Sequence, residues 1–209
     1  MPTPATVPAL IPLSLLEAIR NLDTPVEDGL VELAEEIVVR RLGLSATVAA
    51  QIQRYRAAAT KEAPVDLEEA LSVLRLVGRR SDAALAFADA GRRAARYAAR
   101  SSRKSARTMA RVSPAGLGRR IALRAAARLT HLVFGGDFRG ASSGTEVHMS
   151  DPLSILALPD GAACSFYGSA YGELLRCLAG FEGAMVHDRC RARGDDACIW
   201  RTTAAEVYE

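Results

Sequence analysis

The chain has 209 residues, 49% hydrophobic and 24% charged, with a formal net charge of +3, a balance that suits one globular domain with a helical extension and a core that needs no covalent staples. No apolar stretch reaches the eighteen or more residues of a membrane-spanning helix, and the start, MPTPATVPALIPLSLLEAIR, has neither a charged leader region nor a small-residue cleavage site, so the expected location is the cytoplasm. The charge is distributed unevenly: between Gly91 and Arg120 there are ten Lys or Arg and no acid.

Helix starts come first along the chain. Ser14 followed by Glu17 reads as a capping box, in which side-chain oxygens accept from unpaired backbone N–H groups at a helix start. Thr24, Pro25 and Glu27 make a second one, opening a helix over 25–42 whose apolar positions Val26, Leu30, Leu33, Ile37 and Val38 recur at helical spacing, with Gly43 placed to end it. Ser45 and Asp66 open two further helices. A long Ala-rich helix follows Asp82 and carries Arg96, Arg100, Arg103, Arg107 and Arg111 as one basic stripe. Ser113 and Pro114 end it and start another helix that runs to about Leu129.

From Leu132 the texture changes. Two strands are expected, 133–140 and 145–150, turned at Ser142, Ser143 and Gly144. A helix rich in aromatics and leucine follows over 165–179. A second hairpin, with strands over 184–191 and 197–203, turns at Arg193, Gly194 and Asp195. The expected fold is therefore α+β: N-terminal helices packed on a small antiparallel sheet of two hairpins with an intervening helix. Residues 1–80 read as a helical extension, 81–203 as the α+β domain, and 204–209 as a tail.

All four cysteines, Cys164, Cys177, Cys190 and Cys198, lie within 35 consecutive residues. In a reducing compartment that clustering favours metal ligation over disulfides. In a hairpin centred on Gly194, Cys190 and Cys198 fall nearly opposite one another and can pinch an ion. A structural zinc wants four ligands in a tetrahedron. Cys164, at the entry to the aromatic helix, is the third; Glu146, His148 and Asp151 are the alternatives for the fourth, with Glu146 first. Cys177, among Leu174, Leu175 and Leu178, reads as a small buried apolar residue.

The segments Asp151-Pro152-Leu153, Cys164-Ser165-Phe166-Tyr167, Tyr171-Gly172-Glu173-Leu174-Leu175-Arg176 and Cys190-Arg191-Ala192-Arg193-Gly194-Asp195-Asp196-Ala197-Cys198-Ile199-Trp200 resemble the 4-vinyl reductase domain family over about residues 80–203. Its members include a small protein of bacteriochlorophyll biosynthesis and the ligand-sensing domains of aromatic-responsive activators. In the sensors cysteines hold a zinc near the ligand pocket, and Cys164, Cys190 and Cys198 match those positions in order and spacing. Many members carry Glu where this chain has His187. In an unbroken strand residue 187 points to the face opposite Cys190, so the change is expected to alter the pocket or surface and not the metal site.

No G-x-G-x-x-G, phosphate-cradling loop or iron–sulfur spacing is present in the sequence, so no hydride-donor site is visible. His131, His148 and His187 are scattered, and no nucleophilic set is suggested. The family name therefore points to binding more than to catalysis. Phe134, Phe138, Phe166, Tyr167, Tyr171 and Trp200 are the expected lining of a pocket for a tetrapyrrole or another aromatic molecule. The leading expectation is a tetrapyrrole carrier or accessory factor for a vinyl-reduction step, with a pathway enzyme as partner. The alternatives are a stand-alone zinc-stapled sensor of an aromatic or lipid ligand, and a structural interaction protein; a homodimer is also open. The arginine stripe reads as a solvated face, as a partner for tetrapyrrole carboxylates, or as a surface for nucleic acid or an anionic membrane. The absence of a DNA-reading motif or aromatic RNA platform argues against specific nucleic-acid binding.

Overall fold

In the computed structural model, residues 6–23, 46–112, 115–141 and 144–204 are described; the helix expected over 25–42, the Ser113-Pro114 break and the turn residues Ser142 and Ser143 lie outside them. The fold is α+β. In chain order the elements are β1 (Thr6–Pro8), α1 (Leu10–Asp23), α2 (Ala46–Thr60), β2 (Pro64–Asp66), α3 (Leu67–Gly78), α4 (Ala83–Val112) and α5 (Ala115–Leu129). A π-helical turn (Thr130–Phe134) leads to β3 (Asp137–Ala141), β4 (Gly144–Met149), a short α6 (Leu153–Ala157), α7 (Cys164–Ala179), β5 (Gly183–Arg189), a 3-10 turn (Arg191–Arg193) and β6 (Cys198–Ala204). The strands form an antiparallel β1–β2 pair and a four-stranded sheet of order β3-β4-β6-β5. The two expected hairpins thus join edge to edge through β4 and β6.

The first helix begins at Leu10, five residues earlier than a box with Ser14 as its N-cap implies. Ser14 sits inside α1 and donates its hydroxyl to the Ile11 carbonyl, a bond within the helix and not a cap. Glu17 does not reach back to a helix start: it is buried, accepting from Arg56 and from the Tyr97 hydroxyl, both at 2.7 Å. Pro12 is tolerated because first-turn N–H groups lack intrahelical partners. Every residue from Ile11 to Ile19 is buried, so α1 is apolar nearly all round and enclosed by its neighbours. Asp66, by contrast, caps α3 as expected, accepting from the Glu68 and Glu69 amides.

The centre of the molecule is the crossing of α4 over α7. The inward stripe of α4 is made almost wholly of small residues: Ala86, Ala90, Ala94, Ala95, Ala98 and Ala99 are at most 2% exposed. Small side chains let two helix backbones approach closely. The approach is tightest at Gly91, where an added Cβ would collide with the Phe166 carbonyl oxygen and stand 3.0 Å from the Ala170 nitrogen. The other flank of α4 packs on α1. One continuous core therefore runs from Val7 to Trp200.

One buried charge locks the crossing. Glu173 on α7 is 5% exposed and accepts from Arg96 of α4 at 2.6 Å and from Arg176 at 2.8 and 2.9 Å. Burial alone would raise its pKa, but the hydrogen bonds from Arg176 and Arg96 outweigh it and lower the carboxyl to about 2.

After α5 the helix does not yield to a strand at Val133, as expected. It passes through the π-helical turn, Gly135 ends it with φ of 74°, and the strand begins at Asp137. The short α6 also differs from the sequence reading, which assigned no element there.

Two outcomes follow from the crossing. Gly91→Ala is expected to lower stability by roughly 1–3 kcal/mol, the usual range for overpacking, read as a lower urea midpoint at unchanged slope. Because the folded pKa of Glu173 lies below its unfolded value near 4.5, its contribution is complete above that value and drains away as pH falls towards about 2. Allowing for its half-exposed arginine partners this amounts to roughly 1–2 kcal/mol, so Glu173→Gln should flatten the dependence of melting temperature on pH across that window.

Candidate metal centre

Four side chains converge at one end of the sheet. The Sγ atoms of Cys164, Cys190 and Cys198 and a ring nitrogen of His187 all lie within 4.8 Å of one another. The three cysteines are at most 4% exposed, and the Cys190 and Cys198 sulfurs are 3.9 Å apart.

Each donor is placed by a local feature. Cys198 opens β6 opposite Met149 of β4. Between Cys190 and Cys198 the chain makes a tight knuckle. The Cys190 carbonyl accepts from the amides of Arg193 at 2.8 Å and Asp195 at 3.3 Å, Gly194 takes φ of 92°, and the Asp195 carboxylate accepts from the Cys190 amide at 2.7 Å. The Arg191 amide points at the Cys198 sulfur, 3.4 Å away. Such N–H···S contacts support a thiolate. Cys164 is the first residue of α7, and the loop before it folds down on the knuckle because Gly161 adopts φ of 79°. A Cβ there would stand 3.3 Å from the Cys190 sulfur and 3.0 Å from the Ala192 Cβ. Ser154 of α6 reaches Cys164 Sγ at 3.3 Å.

The fourth donor is His187, and this overturns the reading that put it on the far face. His187 pairs with Trp200, but Arg189 already pairs with Ile199, so Asp188 is an extra residue in β5. A bulge of one residue reverses the alternation of side chains. Residues 187 and 190, three apart, then share a face, the face of Cys198 and Trp200. The His187 ring stacks on Trp200 with centroids 4.6 Å apart and planes 6° apart, and its buried Nε2 has no hydrogen-bond partner among the described residues.

The other fourth-ligand candidates are engaged elsewhere. Glu146 and His148 project from the opposite face of β4; Glu146 accepts from Arg201 at 3.1 Å and lies 2.9 Å from His148 Nε2. Asp151 pairs with Arg191. Cys177 projects towards Glu173, 3.6 Å from its carboxylate.

The buried thiols of Cys164 and Cys198 shift one another's pKa in opposite directions. The Cys198 thiol is pulled well below its ordinary value, first by the Cys164 thiol that hydrogen-bonds to it and further, against burial, by His187, the Arg191 amide and Cys190. Cys164 is pushed up by the same contact and by burial. The arrangement can hold a metal ion: a tetrahedral ion with metal–sulfur bonds near 2.3 Å sets its sulfurs ~3.8 Å apart, close to the 3.9 Å seen for Cys190 and Cys198.

Five of the six aromatic residues expected in a pocket pack against one another. Phe134, Phe166, Tyr167, Tyr171 and Trp200 are at most 3% exposed, with ring centroids 5.3–6.2 Å apart. Phe138, half-buried, packs against the same core. They form an aromatic core under the sheet. The open space lies on the other side of α7, in a groove of about 640 Å³ between α7, the start of α4 and β5. Of the six aromatics only Trp200 borders it, beside Cys164 and His187; its floor is Gly168 and Gly172, and Arg92 and Arg176 stand at its rim. The glycines at helical spacing in 165–176 were the available sequence signal for this face, as were the two arginines.

Gly161→Ala forces an L residue into the left-handed region beside two sulfurs, and it should lower stability by about 1–2 kcal/mol, measured as a shift in the urea midpoint. Gly140→Ala, where nothing lies within 4 Å of an added Cβ, serves as the control and should leave that midpoint near its original position. Compared with protein-family models, curated proteins and solved structures, the chain matches none.

Proposed function

We propose that this protein is a zinc-stapled carrier for a planar, largely apolar small molecule bearing carboxylates. In the setting implied by the resemblance to the 4-vinyl reductase domain family, that molecule is a tetrapyrrole intermediate at a vinyl-reduction step of bacteriochlorophyll biosynthesis. The observation that carries the reading is the Cys164–His187–Cys190–Cys198 group, two of whose members, Cys164 and His187, line the groove. Three thiolates and an imidazole are a ligand set of structural zinc. His187 Nε2 is buried without a hydrogen-bond partner among the described residues, which supports a metal ion as the partner of this ring. Zinc bound there supplies a cross-link that pins the α7 start to the β5–β6 hairpin; with four protein ligands it leaves no open position for substrate.

The residues around the groove support the ligand class. Gly168 and Gly172 let Trp200 and Met185 lie close along α7, 3.3 and 3.5 Å from where a Cβ would stand, and Met185 offers the groove an adaptable apolar contact. Arg92 is exposed at the rim without an ion-pair partner among the described residues, and a guanidinium matches a carboxylate with two parallel hydrogen bonds. No side chain at the groove is arranged to deliver a hydride, so the chain's own residues bind and orient.

Metal content by mass spectrometry on protein purified without a histidine tag tests the staple. One zinc per chain is expected, lost in Cys190→Ser, Cys198→Ser and His187→Ala and kept in Glu146→Gln; metal-free, well-folded protein would remove it. The carrier role is tested by titrating a chlorophyllide-type pigment. Saturable binding without turnover, weakened in Arg92→Ala, supports it, and steady NADPH consumption with vinyl reduction overturns it.

A further inference from the structure

Charge is segregated along this chain to a degree the groove does not use. From Ala90 to Gly136 there is no acidic residue and there are 12 Lys or Arg, which leaves 15 of the 27 basic residues for the rest of the chain together with all 24 acidic ones. Part of that excess is displayed on α5. At 100° per residue Leu117, Arg120, Arg124 and Arg128 fall within roughly 80° of one another and span about 17 Å of helix axis. All are exposed, Leu117 at 49%, while Ala126 on the opposite side is fully buried. Leu132, 60% exposed, extends the same face beyond Arg128, and His131 beside it meets Asp137 at 3.3 Å, where the acid-free stretch ends. None of the three arginines has an ion-pair partner among the described residues.

We propose that this face of α5 docks on an anionic lipid bilayer. A row of unpaired arginines is attracted to lipid phosphates, and a leucine at each end can enter the headgroup boundary, which places the helix flat on the surface. Charge complementarity selects an anionic partner, and the exposed leucines select lipid over nucleic acid. A single-stranded nucleic acid would need aromatic platforms for its bases, and α5 contains no Phe, Tyr or Trp. The acidic remainder of the chain is repelled by the same surface, which adds an orienting couple.

The test is vesicle co-sedimentation of the full chain with phosphatidylcholine and with mixed phosphatidylcholine–phosphatidylglycerol vesicles, at low and high salt. Binding to the anionic vesicles alone, weakened by salt, is expected. Arg120→Gln/Arg124→Gln/Arg128→Gln should weaken it roughly a hundredfold, about fivefold for each arginine, and Arg79→Gln/Arg189→Gln, exposed arginines elsewhere, should leave it near the wild-type level. Leu117→Gln/Leu132→Gln should weaken it too. No binding by the wild type, or wild-type binding by the triple variant, overturns the proposal. So does a leucine variant that still binds vesicles like the wild type while a single-stranded oligonucleotide displaces both proteins, since the face would then be a general polyanion surface.

Discussion

The close approach of α4 to α7 at Gly91 sets the position of nearly everything else. A helix can come this near another only where its contact stripe is stripped of bulk, and the alanines of α4 do that over several turns. The gain is dispersion contact across a long seam. The cost is that few substitutions are neutral along it. Because α7 is held there, its first residue, Cys164, and its sheet-facing aromatics come to fixed places, and the Arg96–Glu173 pair sets the rotation of one helix about the other.

The candidate metal centre depends equally on an irregularity. A regular β5 would send His187 to the face of Glu146 and His148, and the cysteines would be left with a three-donor set. The extra residue at Asp188 swings the imidazole inward, where Trp200 supports it by stacking. Bulges concentrate beside functional sites because they re-aim one side chain without rebuilding a sheet. Here a single residue decides the composition of the centre.

Much of the architecture was legible because it rests on local chemistry. The Asp66 cap, the glycine turn at Gly194, the two hairpins and the opposed Cys190 and Cys198 all follow from short-range rules. The readings that failed are those in which distant residues decide. Ser14 and Glu17 have the spacing of a cap, yet Glu17 is claimed by Arg56 and Tyr97 from two other helices. The aromatic residues of α7 have a pocket's composition, but Phe134 and Trp200 arrive to fill the space between them. His187 was misplaced because strand parity assumes an unbroken ladder, and nothing in His187-Asp188-Arg189 marks the break.

The donors of the centre are also unequal in how far the chain must fold to bring them together. Cys190 and Cys198 face each other across a knuckle that forms from its own seven intervening residues, whereas Cys164 must arrive on the end of α7 and His187 on a bulged strand. Short loops close quickly and with little entropic cost. The two thiols of the knuckle can thus meet on a nascent hairpin before Cys164 and His187 join them. The order in which the four donors meet follows from their spacing along the chain.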